Sequence, residues 1–127
     1  NRLYQIQGYV VKGNGIGRTM SFPTANIEVK ENYKLLPAKG VYLVTVPHNG
    51  KLLYGMMNYG LRPTVNGEHA AIEVHLFDFN QDLYGQKLTL QLLLKIRDEQ
   101  KFESLAALKS QIQKDKAFCL SYIEQNF

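Results

Sequence analysis

A chain of 127 residues fits a single domain and is long enough to bury a core without staples. One cysteine, Cys119, excludes an internal disulfide and suits a reducing, cytoplasmic setting, and no apolar run approaches the length of a membrane span. The net charge of +4, from 15 basic and 11 acidic residues, favours anionic ligands such as nucleotides and equally fits a weak nucleic-acid binder, although no block of like charge is present.

The first run, Tyr4 to Lys12, mixes β-branched and aromatic residues and reads as a strand. Directly after it comes Gly13-Asn14-Gly15-Ile16-Gly17-Arg18, with glycine at alternate positions. Glycine lets backbone N–H groups approach a ligand with no Cβ in the way, and successive N–H groups form a concave anion nest. Lys12 and Arg18 flank it and add charge suited to phosphates. A Walker loop is excluded, because no Lys-Ser or Lys-Thr follows the glycines. A dinucleotide fingerprint is excluded as well, because Pro23 follows and no helical period appears. A plain turn between strands remains the competing reading.

Pro23-Thr24-Ala25-Asn26 is the next informative stretch. Proline pushes Phe22 into an extended form, and side chains two apart on an extended segment leave the same face. Thr24 and Asn26 thereby offer a hydroxyl and an amide oxygen together, hard ligands of the kind Mg²⁺ takes. A local turn satisfying backbone groups is the alternative.

Val41–Val46 and Leu52–Asn58 flank His48-Asn49-Gly50, which predicts a hairpin over 41–58. In Ala71–Phe79 the residues alternate: Ile72, Val74 and Leu76 face one way, and Glu73, His75 and Phe77 the other. Glu73 has the chemistry of a general base toward an alcohol attacking phosphorus, although a strand carboxylate is more often simply solvated. His75 is read as covering the strand. His48 and His69 lack ligand spacing, so no zinc site is expected. Asp82-Leu83-Tyr84-Gly85 predicts a second hairpin connection, leading into a strand over Leu88–Ile96.

The period then changes. Leu105, Leu108, Ile112, Cys119 and Ile123 recur at helical spacing, and Ser104 is a suitable N-cap, so a helix is expected over about 104–124. Several short strands and one end helix imply a mainly β chain: an antiparallel barrel capped by a helix, with the barrel over about 4–97 and the whole of 1–127 one domain.

These blocks, in this order, resemble the riboflavin kinase family. GNGIGRTMSFPTAN looks like its glycine loop and PTAN signature, MNYGLRPTV (57–65) its Asn-x-Gly-x-Arg-Pro-Thr loop, and AIEVHLFDFNQDLYGQKL the segment carrying its catalytic glutamate. LLKIRDEQKFESLAALKSQIQKD is similar to its last strand, flavin-side flap and helix. The likeness is nearest to the kinase module of bifunctional bacterial FAD synthetases and runs from about Gly8 to Ile123. Ser21 stands where the family often has glycine, and Tyr59 fills a place where small aliphatics are common.

The resemblance implies a six-stranded Greek-key barrel with a packed helix, and transfer of phosphate from ATP to riboflavin, giving FMN and ADP. It implies Glu73 as base toward the ribityl terminal hydroxyl, and Thr24 and Asn26 as the metal and phosphate residues for Mg²⁺. It implies Gly13, Gly15 and Gly17 lining the nucleotide loop, Tyr84 near the adenine, and Arg97 and Phe102 in the flap over the flavin. No nucleic-acid or membrane partner is expected. Nothing in the chain resembles the adenylyltransferase domain that precedes the kinase in the bifunctional relatives, so Asn1 is read as a boundary between the two. The rival readings are a small basic barrel stacking single-stranded nucleic acid on its eight Tyr and six Phe, and a flavin-binding barrel without kinase activity.

Overall fold

The structure, a computed structural model, describes residues 4–11, 25–29, 38–64, 67–79 and 81–127, with 61–64 and 67–70 described by backbone alone. Six strands follow in chain order: β1 (Tyr4–Val11), β2 (Ala25–Glu28), β3 (Gly40–His48), β4 (Lys51–Thr64), β5 (Gly67–Leu76) and β6 (Lys87–Arg97). One helix, α1 (Leu105–Asn126), ends the chain. The strands close into an antiparallel barrel in the order β1-β2-β5-β4-β3-β6. Because β6 returns to lie beside β3, the last four strands run β6-β3-β4-β5, an order compatible with the expected Greek key.

Alternation along each strand decides which side chains fill the barrel. Ile6 and Val10, Ile27, Tyr42 and Val44 and Val46, Met57 and Tyr59, Ile72 and Val74 and Leu76, and Leu88 and Leu90 and Leu92 all point inward and form one cluster. The intervening residues of β3 and β4, with Phe77 just after β5, form a second cluster outside the wall. Val41, Leu43, Met56 and Phe77 are covered there by Cys119, Ile112, Tyr122 and Ile123 of α1. The barrel is therefore filled within and roofed on one flank by the helix.

The β3–β4 hairpin turns where the sequence predicts it. Asn49 and Gly50 take φ of 49° and 79°, the left-handed pair that a two-residue hairpin turn requires, and His48 pairs with Lys51. Strand β6 breaks strict alternation. The β3–β6 register shifts between Val41 and Tyr42 and between Leu43 and Val44, which leaves Ile96 and Leu93 as inserted residues. Leu93, Leu94 and Ile96 consequently all reach the outer cluster, and Arg97 comes level with Val41. Gly40 permits that approach: a Cβ there would lie 2.5 Å from the Arg97 carbonyl oxygen, on a backbone with φ of +154°.

Three sequence expectations change. The Asp82–Gly85 turn is no hairpin, since β5 and β6 are not neighbours; it carries the chain across one end of the barrel. Gly85 N–H donates to Val10 O and Val10 N–H to Gln86 O there, and Leu83 is buried against the interior. The Asn-x-Gly-x-Arg-Pro-Thr segment is strand through Thr64, not loop. On α1, Leu105 is 57% exposed, and Tyr122 takes up the packing expected of it. Ser104 caps the helix as expected, accepting a 3.1 Å hydrogen bond from Ala107 N–H. Among the described residues no helix is long and apolar enough to cross a membrane.

Cys119 sits in the seam between helix and barrel with no exposed surface, and burial pushes its thiol pKa up to about 12. At pH 8 iodoacetamide is expected to label the urea-unfolded chain and to leave the folded chain unmodified, as read by mass spectrometry. The folded thiol holds its proton to higher pH than the unfolded one. Stability is therefore expected to fall as pH climbs from the ordinary thiol range toward 12.

Candidate active site

Register places the acid and the amide side by side. In the β2–β5 ladder Asn26 is the direct partner of Glu73, and in the β4–β5 ladder Asn58 is the partner of Glu73 on its other side. Directly paired residues project to the same face, with Cβ atoms about 4.5–5.5 Å apart. Their chain neighbours Ile27, Ile72, Val74, Met57 and Tyr59 all point into the barrel core, so Asn26, Glu73 and Asn58 share the outer face. All three are half-buried.

The row continues around the wall. Val11 pairs with Asn26, Asn58 with Val41, and Val41 with Arg97. Val41 belongs to the cluster roofed by α1, so the polar row Asn26–Glu73–Asn58 runs up to the helix-covered flank. Along β5 the same face passes from Glu73 to His75 and Phe77. His75 is 9% exposed and stands edge-on to Phe77, ring centroids 5.6 Å apart, which agrees with its reading as a covering residue.

At the far end of the row Arg97 is held by the helix. Its Nε donates to both Asp115 oxygens at 3.1 and 3.0 Å, and Nη2 donates to Oδ2 at 2.9 Å. Gln111 adds a 2.9 Å bond to Oδ1. Nη1 donates to Asp98 O at 3.1 Å, and the guanidinium carbon lies 5.7 Å from the Phe102 ring centroid. Arg97 and Phe102 are thus together, with the last strand, the following loop and α1 joined at one point. Beside them Lys95 pairs with Asp98 at 2.6 Å; this contact raises the Lys95 pKa and lowers that of Asp98. Both groups are exposed, so the pair adds little to stability.

Tyr84 is 52% exposed on the turn that bonds to Val10, one residue before the end of β1. Its N–H donates to Asp82 Oδ1 at 2.9 Å. Tyr84 therefore lies on a turn held beside the end of β1. Gly13, Gly15, Gly17 and Thr24, with Lys12 and Arg18, lie outside the described residues. Among the described residues no cluster of three or more His, Cys, Asp or Glu side chains forms a metal cage.

Sequence reasoning missed two residues. Asp115 is 3% exposed, on the helix stripe between Ile112 and Cys119; an acid on that stripe was the available signal. Asn58 stands inside the Asn-x-Gly-x-Arg-Pro-Thr motif. Its signal was a polar residue flanked by Met57 and Tyr59, which alternation sends to the outer face with Glu73.

Comparison with known proteins shows the family and the fold. The family model described as Flavokinase: Riboflavin kinase matches residues 1–123. The bifunctional riboflavin kinase/FMN adenylyltransferase of Haemophilus influenzae is 49% identical over 113 residues, covering 88% of this chain and 36% of that protein. The chain thus spans a little over a third of that relative's length. Among solved structures, the macrolide-efflux protein from Streptococcus pneumoniae superposes with a TM-score of 0.83 at 38% identity, covering 97% of this chain and 38% of that one. Riboflavin kinase from Trypanosoma brucei superposes with a TM-score of 0.67 at 23% identity over 99% of this chain and 83% of that one, a likeness of fold.

Removing one partner of a buried pair strands the other's charge, which typically destabilises by about 3–5 kcal/mol. Arg97 keeps some solvent contact, its side chain being 18% exposed against 4% for Asp115. Asp115→Ala is therefore expected at the low end, about 3 kcal/mol less stable in urea denaturation.

Proposed function

Since the chain belongs to the riboflavin kinase family, we propose that it transfers the γ-phosphoryl group of ATP to the terminal ribityl hydroxyl of riboflavin, giving FMN and ADP. The observation that carries this reading is the direct pairing of Asn26 with Glu73 on one outer face. A phosphate-side oxygen donor and a carboxylate then flank a single position where an alcohol and a nucleotide's last phosphate meet.

The chemistry follows from those two groups. The Glu73 carboxylate accepts the proton of the ribityl hydroxyl as its oxygen attacks phosphorus. The new O–P bond forms while the bond to the β-phosphate oxygen breaks, and ADP leaves. The donor set fits Mg²⁺, which takes one or two protein oxygens and fills its remaining positions with water and phosphate oxygens. The Asn26 amide oxygen and the Thr24 hydroxyl would hold it, and it would neutralise charge on the phosphoryl oxygens. Gly13, Gly15 and Gly17 offer N–H groups to the phosphates, and Tyr84, beside the end of β1, offers a ring to the adenine.

Arg97 and Phe102 serve the flavin side. Asp115 neutralises Arg97, so the pair presents a flat guanidinium and a ring rather than a bare cation, which suits an uncharged isoalloxazine. A preceding FMN adenylyltransferase domain, after the bifunctional Haemophilus relative, and a cytoplasmic setting, after the single cysteine, belong to the same proposal.

The test is riboflavin with Mg-ATP, followed by chromatography for FMN. Glu73→Gln is expected to fold normally and to lose roughly 10²–10⁴-fold in turnover; wild-type turnover in that variant would remove the base role. Thr24→Ala is expected to raise the requirement for Mg-ATP while riboflavin affinity, read by flavin fluorescence, stays near wild type. An unchanged metal dependence would remove Thr24 from the metal site.

A further inference from the structure

Asn58 carries a structural cost that nothing among the described residues offsets. Its Oδ1 is buried and has no hydrogen-bond partner among the described residues. Leaving a buried acceptor unmade is unfavourable, whereas an apolar residue of the same shape would be neutral or stabilising. Turning the amide over does not help, because the NH₂ group would then be the buried, unpaired end. The residue as a whole is only half-buried, so the Nδ2 end is the one presented outward, on the face it shares with Glu73.

We infer that Asn58 is a positioning residue for Glu73. In the substrate complex its Nδ2 donates to one carboxylate oxygen and leaves the other oxygen aimed at the ribityl hydroxyl. Three facts support this. Asn58 and Glu73 are direct register partners, so their side chains start within reach of each other. The opposite partner of Glu73 is Asn26, whose amide oxygen the kinase reading assigns to the metal, which leaves β4 to supply a donor to the carboxylate. The backbone of Asn58 is itself fixed: Met57 and Tyr59 on either side are 0% and 3% exposed in the barrel core, and Val41 across β3 is locked under the helix. A donor on so rigid a base fixes a carboxylate rotamer; one on a loop would follow the substrate instead.

The inference rests on the kinase reading, and one experiment separates the two. Wild type and Asn58→Leu, Asn58→Ser and Glu73→Gln variants are assayed with riboflavin and Mg-ATP, and each is melted without ligand. Asn58→Leu is expected to lower kcat by roughly 10- to 100-fold, with KM for both substrates within about twofold of wild type. Asn58→Ser, which restores a small donor, is expected to recover part of that loss. The melting temperature of Asn58→Leu is expected to equal or exceed that of wild type, because the unpaired acceptor is gone. A wild-type kcat in Asn58→Leu overturns the inference, as does a raised riboflavin KM at unchanged kcat, which would make Asn58 a substrate contact. A lowered melting temperature also overturns it, by showing that the amide holds the fold. If wild type forms no FMN, the kinase reading fails and takes the Asn58 role with it. If wild type forms FMN and only Glu73→Gln loses activity, the kinase reading stands and the inference alone falls.

Discussion

Closing six strands on themselves removes the freedom to slide any one of them. Each strand of this barrel is registered on both sides, so a slip of one residue in β5 would break its pairing with β2 and β4 together and turn Glu73 into the core. That constraint converts three residues far apart in sequence, at positions 26, 58 and 73, into neighbours on one outer face. The apolar residues between them do the aligning: Ile27, Met57, Tyr59, Ile72 and Val74 have no alternative to the interior, and the polar row is the other half of the same alternation. The site is in this sense a by-product of core packing, made specific by which polar residues occupy the outward positions.

The helix extends the same logic by different means. An amphipathic helix needs only an apolar stripe to dock, and α1 supplies Ile112, Cys119, Tyr122 and Ile123. Asp115 on that stripe is costly to bury and tolerable only with its charge met, which Arg97 does through three hydrogen bonds and Gln111 through a fourth. Apolar residues of similar volume would hold a helix at least as firmly. The pair instead contributes direction: a fork-shaped cation fixes the angle at which the last strand, bent by its inserted residues Leu93 and Ile96, meets the helix.

Much of this was legible in the sequence. Alternation in 71–79 put Glu73 on a face opposite Ile72 and Val74, the Asn49-Gly50 pair announced the tightest turn, and Ser104 announced the helix start. Those signals are local, and local physics suffices to read them. What escaped depended on distant partners. Residues 82–85 have turn chemistry whether they join paired strands or cross the end of a barrel, and only the strand order tells the two apart. Strand β2 is four residues long, too short for a period to show. The pairings of Glu73 with Asn26 and Asn58 are facts of register, which motif order does not encode. Asp115 lies outside an apolar reading of helical periodicity, although a paired acid obeys the same geometry.

The brevity of β2 has a consequence for how the barrel breathes. Among the described residues it is held by Tyr9–Glu28, Val10–Ile27 and Val11–Asn26 on one side, and by Ala25–Val74, Asn26–Glu73 and Ile27–Ile72 on the other. The β3–β4 hairpin, by contrast, is zipped from Gly40–Tyr59 to His48–Lys51. Sub-global opening follows the shortest seam, so amide exchange with deuterated solvent should reach Ile27 before it reaches Val44. The stave that loosens first is the one bearing Asn26, while Glu73 on the neighbouring strand keeps the long β4–β5 ladder on its other side.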